Sequence, residues 1–172
     1  MKLPRAGTPL EPLLAAMRER KGADADWRHG RTWSLVYPAG EEVDEVLRRA
    51  SNLYLFENAL NPYRFPSLRA MEGEIVAMTL DLLNAPQGAG GAMTSGGTES
   101  IVMAVKAARN RARAERGVKR PEMIIPRSAH PAFAKAAELL CVEVRQAPLG
   151  QDFCADVAAV KQLVTDRTVL IV

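Results

Sequence analysis

From Glu41 onward the apolar residues Val43, Val46, Leu47, Ala50 and Tyr54 recur at the intervals that line one face of an α-helix. That pattern stops at Asn61-Pro62, because a proline disfavours helical geometry in the residue before it. A second helix is predicted from Pro66, a residue suited to a first turn. Leu68, Met71, Ile75, Met78 and Leu82 then share one face before a loop over 86–91. A third helix is predicted over 98–116, with Ile101, Val102, Val105, Ala108 and Ala112 inward. Shorter elements follow: a strand at 122–125, a helix at 131–140, a strand at 142–146, a helix at 155–164 and a strand at 168–172. Strands alternating with helices over short connections predict the α/β class, with a parallel sheet flanked by helices. Residues 1–40 are rich in Pro, Gly and charge and read as an extended arm with little helix of its own.

Composition narrows this picture. At 172 residues and 48% hydrophobic, the chain has enough apolar content for one globular unit with a core. A formal charge of +3 and a pI near 9.1 are too mild to imply a nucleic-acid partner. The basic stretch 106–120 has no interleaved aromatic residue and reads as a solvated helix face. No apolar run approaches the roughly 20 residues that span a bilayer, and the start lacks the apolar centre of a signal peptide, so a cytoplasmic protein is expected. Cys141 and Cys154 form no Cys-x-x-Cys pair and read as buried, reduced thiols. With His29 and His130 as the only histidines and no Gly-x-Ser-x-Gly elbow, zinc and serine-hydrolase chemistry have little support.

The candidate chemistry lies in two segments, Met93-Thr-Ser-Gly-Gly-Thr-Glu-Ser and Ser128-Ala-His-Pro-Ala-Phe. In the first, glycines precede a predicted helix start, where free N–H groups and the helix dipole favour an anion. Residues 91–98 have the glycine and threonine spacing of a P-loop, but Gly97 stands where its lysine would be. The dinucleotide fingerprint also fails, with Met93 at its third glycine position. A single phosphate monoester, which backbone amides and hydroxyls can hold, fits better than a nucleoside triphosphate. Taken alone, such a loop also reads as a flexible link before a helix.

The two segments resemble those of pyridoxal-phosphate-dependent sphingosine phosphate lyases, within the PLP-dependent decarboxylase group of the aspartate-aminotransferase fold. Further stretches resemble the family in order: Trp27-Arg-His-Gly-Arg-Thr-Trp-Ser-Leu-Val-Tyr37, Glu57-Asn-Ala-Leu-Asn-Pro62, Phe65-Pro-Ser-Leu-Arg69, Arg111-Ala-Arg-Ala-Glu-Arg-Gly117 and Thr168-Val-Leu-Ile-Val172. The resemblance implies an arm and helix over 1–62, then over 63–172 the first part of a large PLP-binding domain whose sheet is incomplete. It implies pyridoxal 5′-phosphate as cofactor and a retro-aldol cleavage of a phosphorylated sphingoid base to a fatty aldehyde and phosphoethanolamine. It also implies a homodimer of the complete enzyme.

The resemblance assigns the cofactor phosphate to Gly96, Gly97 and Thr98, and the face of the pyridine ring to His130, which there can also shuttle protons. On the bland alternative, His130 is a helix-start histidine satisfied by backbone. Ser128 either bonds the cofactor or caps the helix that starts near Pro131. Asn61 resembles a residue at the substrate entrance and equally reads as an Asn-Pro stop, with Tyr63 and Arg64 as candidates for the substrate phosphate. The chain departs from the family at Ala108, where lyases often carry a tyrosine. None of Lys2, Lys21, Lys106, Lys119, Lys135 or Lys161 stands in the Asp-x-His-Lys context of a Schiff-base lysine. The expectation is the N-terminal part of a lyase, inactive alone. A fragment of an amino-acid decarboxylase and a non-catalytic assembly partner are the alternatives.

Overall fold

The computed structural model describes residues 5–33, 36–61 and 63–172. Its elements are α1 (Leu10–Lys21), α2 (Glu41–Leu53), α3 (Pro66–Leu82), α4 (Gly97–Arg116), β1 (Glu122–Pro126), α5 (Ala132–Leu140), β2 (Glu143–Ala147), α6 (Val157–Leu163) and β3 (Thr168–Ile171). The chain forms two compact units, Met1–Arg69 and Ala70–Val172.

In the first unit, α1 corrects the expectation of an arm with little helix. Pro9 and Pro12 are compatible with a helix start, Leu13 to Ala16 are good helix formers, and Arg18, Arg20 and Lys21 in the last turn suit the negative end of the dipole. The α2 helix starts at Glu41, with Glu41, Glu42 and Asp44 in its first turn, but ends at Leu53, well before Asn61. The intervening segment turns on asparagine side chains instead: Asn58 Oδ1 accepts the Leu60 N–H at 3.1 Å, and Asn61 Oδ1 accepts the Tyr63 N–H at 3.1 Å. No residue of α1 or α2 is buried.

The second unit holds the sheet, three parallel strands in the order β2-β1-β3. Each crossover carries one helix, α5 between β1 and β2 and α6 between β2 and β3. The chain steps out to one side of β1 and then back across it, so right-handed crossovers put α5 and α6 on opposite faces. The α4 helix packs on α5 and β3. Val105 of α4, Met123 and Ile125 of β1, Ala136 and Ala137 of α5, and Val142 form the core, with Val102, Ala129, Phe133, Leu140 and Leu170 against it. Met123 and Ile125 are two apart and share this face of the strand, as the alternation of a pleated strand requires.

Termini of the elements follow local chemistry. Gly117 ends α4 at φ 65°, donating to the Arg113 carbonyl while Val118 N–H reaches the Ala112 carbonyl, a Schellman stop that needs the left-handed region glycine occupies freely. Asp156 caps α6, its Oδ1 accepting the Ala158 and Ala159 amides at 2.9 and 3.1 Å. Asp156→Ala is expected to cost about 1 kcal/mol, read as a lower urea midpoint with an unchanged slope.

Two expectations about burial are corrected. Both cysteines are exposed rather than buried: Cys141 ends α5 at φ 52°, on the surface, and Cys154 lies in the loop before α6. Most of the predicted inner face of α3 points outward, Leu68 being half-buried. Met71, Ile75, Met78 and Leu82 are all exposed, while Val76 and Leu80 on the neighbouring stripe are half-buried. At Gly91 a Cβ would sit 3.1 Å from Val76 Cγ1, so the absent side chain is what lets this segment approach α3.

At the amino end of β1, Glu122 is fully buried yet charged. Arg167 pairs with its Oε1, Arg145 Nη1 lies 3.5 Å from Oε2, and the Thr165 hydroxyl donates to Oε2 at 2.7 Å. Burial pushes the Glu122 carboxyl up, but the Thr165 hydroxyl and the charges of Arg167 and Arg145 outweigh it and hold it below the ordinary glutamate value. One carboxylate thereby ties the central strand to β2 through Arg145 and to the turn entering β3 through Thr165 and Arg167.

Candidate functional site

The direction of α4 turns the two sequence segments to the same edge of the sheet. Arg116, in its last turn, donates from Nη1 and Nη2 to the carbonyls of Asp166 and Thr168 at 3.1 and 2.9 Å, which anchors the helix end beside the start of β3. Arg109 Nη1 donates to the Leu140 carbonyl, at the end of α5, at 2.9 Å. All three bonds lie at the amino edge of the sheet, so α4 runs against the strands and its first turn points to their carboxyl edge. The same edge releases the chain from β1 into residues 127–131. In open parallel sheets this is where ligands bind.

Gly96 is the N-cap of α4, at φ 156° and ψ 178°, a region that side-chain-bearing residues scarcely adopt. No side chain caps the helix there. A Cβ on Gly96 or Gly97 would meet nothing within 4 Å, so open space lies over the turn. The hydroxyl of Thr98 is exposed and has no hydrogen-bond partner among the described residues. Uncapped first-turn amides, a free hydroxyl and an absence of side-chain bulk fit a phosphate monoester of the kind pyridoxal 5′-phosphate carries.

The neighbouring polar groups are already engaged. The Ser95 amide and hydroxyl both donate to Glu99 Oε2 at 2.6 Å, and the Thr94 hydroxyl donates to the Gly96 carbonyl at 3.2 Å and lies 2.6 Å from Ser100 Oγ. The Ser95 hydroxyl first, then its amide, hold the Glu99 carboxyl below its ordinary value. Glu99 was missed in the sequence reading. Its signal was a glutamate at the third position of a helix, which usually reaches back to an amide before the first turn.

His130 is exposed, and its Nδ1 accepts the Ala132 N–H at 3.1 Å. That bond leaves Nδ1 without a proton, so the neutral ring carries its hydrogen on Nε2. The backbone-satisfied histidine of the bland alternative is therefore present, and it fixes the tautomer a functional ring would use. The expected cap by Ser128 is corrected: His130 accepts the amide at the start of α5, while Ser128 is exposed in the turn after β1. Ala108 lines a hollow of about 300 Å³ with Arg111, Ala112, Glu115, Arg116 and Val169.

Asn61, Tyr63 and Arg64 belong to the first unit. Asn61 supplies its side-chain oxygen to Tyr63 and its carbonyl to the Arg64 and Phe65 amides, so the turn-forming reading is present in the structure. Tyr63 is 83% exposed, and Arg64 is exposed with no carboxylate partner among the described residues. Among the described residues no cluster of His, Cys, Asp and Glu could hold a metal, and no helix is long and apolar enough to cross a membrane.

No family model matches the chain. Sphingosine-1-phosphate lyase 1 of Mus musculus is 38% identical over 170 residues, 99% of this chain and 30% of the relative. The lyase of Arabidopsis thaliana is 38% identical over 178 residues and covered to 32%. A probable L-aspartate decarboxylase of Pyrococcus abyssi is 36% identical over 172 residues and covered to 42%. Among solved structures, the sphingosine-1-phosphate lyase of Burkholderia pseudomallei superimposes with a TM-score of 0.90 at 40% identity, over 99% of this chain and 41% of that one. A Lactobacillus brevis glutamate decarboxylase, at 22% identity and a TM-score of 0.72, shares the fold. The chain thus spans 30% of the mouse relative's length and 32% of the Arabidopsis one's. Along 99% of its own length it is similar to sphingosine-1-phosphate lyases, of which it spans only a part.

Proposed function

We infer that this chain is the phosphate-anchoring portion of a PLP-dependent lyase that cleaves phosphorylated sphingoid bases to a fatty aldehyde and phosphoethanolamine. The observation that carries the reading is the uncapped, side-chain-free turn at Gly96 and Gly97, in a chain that superimposes on a bacterial sphingosine-1-phosphate lyase with a TM-score of 0.90. The Gly97 and Thr98 amides and the Thr98 hydroxyl would hold the cofactor phosphate. When bound, pyridoxal 5′-phosphate supplies an electron sink for heterolytic cleavage beside an amine-bearing carbon. His130 offers a flat ring with Nε2 free to hold or pass a proton, and Ser128 offers an exposed hydroxyl on the same turn. In the first unit, Tyr63 and Arg64 offer polar and cationic groups for the substrate phosphate, and Asn61 is the candidate for the substrate entrance.

None of Lys2, Lys21, Lys106, Lys119, Lys135 and Lys161 stands in the Asp-x-His-Lys context of a Schiff-base lysine. The chain alone is therefore expected to release no aldehyde from sphingosine 1-phosphate in the presence of pyridoxal 5′-phosphate. Grafted in place of the matching stretch of the Burkholderia pseudomallei lyase, it is expected to support aldehyde release. Carbon dioxide release from amino acids by that chimera, with no aldehyde, would assign the chain to a decarboxylase instead.

A second reading, assembly on another polypeptide, is favoured by the exposed α3 face of Met71, Ile75, Met78 and Leu82. It pictures a homodimer-type association of the complete enzyme. A chain that runs as a monomer on sizing at every concentration, and does not co-purify with a full-length family member, would exclude it.

A further inference from the structure

We propose that Glu99 is a positioning residue for the phosphate turn: by taking both Ser95 donors, it fixes residues 94–98 so that the Gly97 and Thr98 amides face an incoming phosphate. The proposal rests on the reading of this turn as the cofactor anchor. Its physical content is a choice among donors. A turn with a hydroxyl and an amide at Ser95, amides at Gly97 and Thr98 and a hydroxyl at Thr98 could wrap an anion in several ways, each of which costs ordering entropy on binding. In the structure Glu99 Oε2 accepts both Ser95 groups at 2.6 Å, and Thr94 is tied to Gly96 and Ser100. What remains open is the first turn of α4 over the unfilled space at Gly96 and Gly97. A turn already held in its binding shape loses less freedom when the ligand arrives.

Glu99 is also a negative charge in the same helix turn as the proposed anion. Its two effects therefore oppose each other: the hydrogen bonds pre-form the turn, and the charge repels phosphate. A glutamine separates them, because its amide oxygen can still accept from Ser95 while the charge is gone. An alanine removes both.

The test is a titration of the full chain with pyridoxine 5′-phosphate, which lacks the aldehyde and so cannot react with surface lysines, followed through the amide NMR shifts of Gly97 and Thr98. Inorganic phosphate serves as the simpler probe. Glu99→Gln is expected to bind as tightly as the parent chain or several-fold tighter. Glu99→Ala is expected to bind about tenfold more weakly, with faster exchange of the Ser95 amide. If the parent chain binds and Glu99→Ala binds equally well, or if Glu99→Gln is as weak as Glu99→Ala, Glu99 is not a positioning residue and the proposal fails alone. If the parent chain shows no saturable shift at Gly97 and Thr98 with either probe, the cofactor reading fails and takes this proposal with it.

Discussion

Arg167→Ala is expected to lower the unfolding free energy by about 2–3 kcal/mol, the largest loss of stability anticipated from any single exposed-side substitution. Arg167 is itself 41% exposed, but it neutralises a carboxylate that has no access to water. Removing it leaves Glu122 with only Arg145, at 3.5 Å, and the Thr165 hydroxyl. The value stays below the roughly 3–5 kcal/mol that a fully broken buried pair costs because those two groups remain. The pH dependence follows from the sign of the shift. The folded-state pKa of Glu122 is depressed, so its contribution is fully present above the unfolded value of about 4.3 and is lost as pH falls through the lower folded value. In Arg167→Ala the same loss is expected to begin at higher pH, and in Glu122→Gln it should vanish. Urea midpoints for the three chains between pH 3 and 7 decide the matter, and superimposable curves for the parent and Arg167→Ala would falsify it.

Gly96→Val is expected to abolish measurable pyridoxine 5′-phosphate binding, a weakening of well over about tenfold. The cause is the backbone rather than a clash: a Cβ there meets nothing within 4 Å, but the φ of 156° and ψ of 178° belong to a region open essentially to glycine alone. Valine would pull the turn into an ordinary extended conformation, at a cost of about 1–3 kcal/mol, and re-aim the first-turn amides. Gly97→Ala makes the contrast. Gly97 is the first helical residue, so alanine fits the backbone and favours the helix, while its methyl enters the space the phosphate would use. Reduced binding with undiminished urea stability is expected for Gly97→Ala, and losses of both for Gly96→Val. Equal affinity of all three chains would remove the turn from consideration as an anion site.

Where a pattern in this chain had something to pack against, it could be read from the sequence. The α4 face of Ile101, Val102, Val105, Ala108 and Ala112 is buried or half-buried at every position, and the alternation of strands and helices from β1 to β3 follows the reading to within one or two residues at most ends. The same periodicity in α3 marked a real helix and misjudged its environment, because periodicity reports a face and not the presence of a partner. The α1 helix went unseen because its prolines fall where a helix start tolerates them, at Pro9 and Pro12. The helix start at the paired glycines was legible, since Gly96 and Gly97 stand at the N-cap and first position of α4. The bond from the Ala132 amide to His130 was not, as it depends on a side-chain rotation that no spacing encodes.

The lack of any buried residue in α1 and α2 has a thermal counterpart. Helices of 12 and 13 residues are about as short as a helix can be and still persist in water on local bonding alone. Without a core to link them they should unwind gradually on heating, each responding to its own propensities and ion pairs. The sheet and its helices share one core and should give way together. A melting curve of this chain followed by far-ultraviolet ellipticity is therefore expected to show a long sloping decline, with a single sharper step superimposed. Proteolysis during the slope should cut before residue 60 while leaving the strands intact.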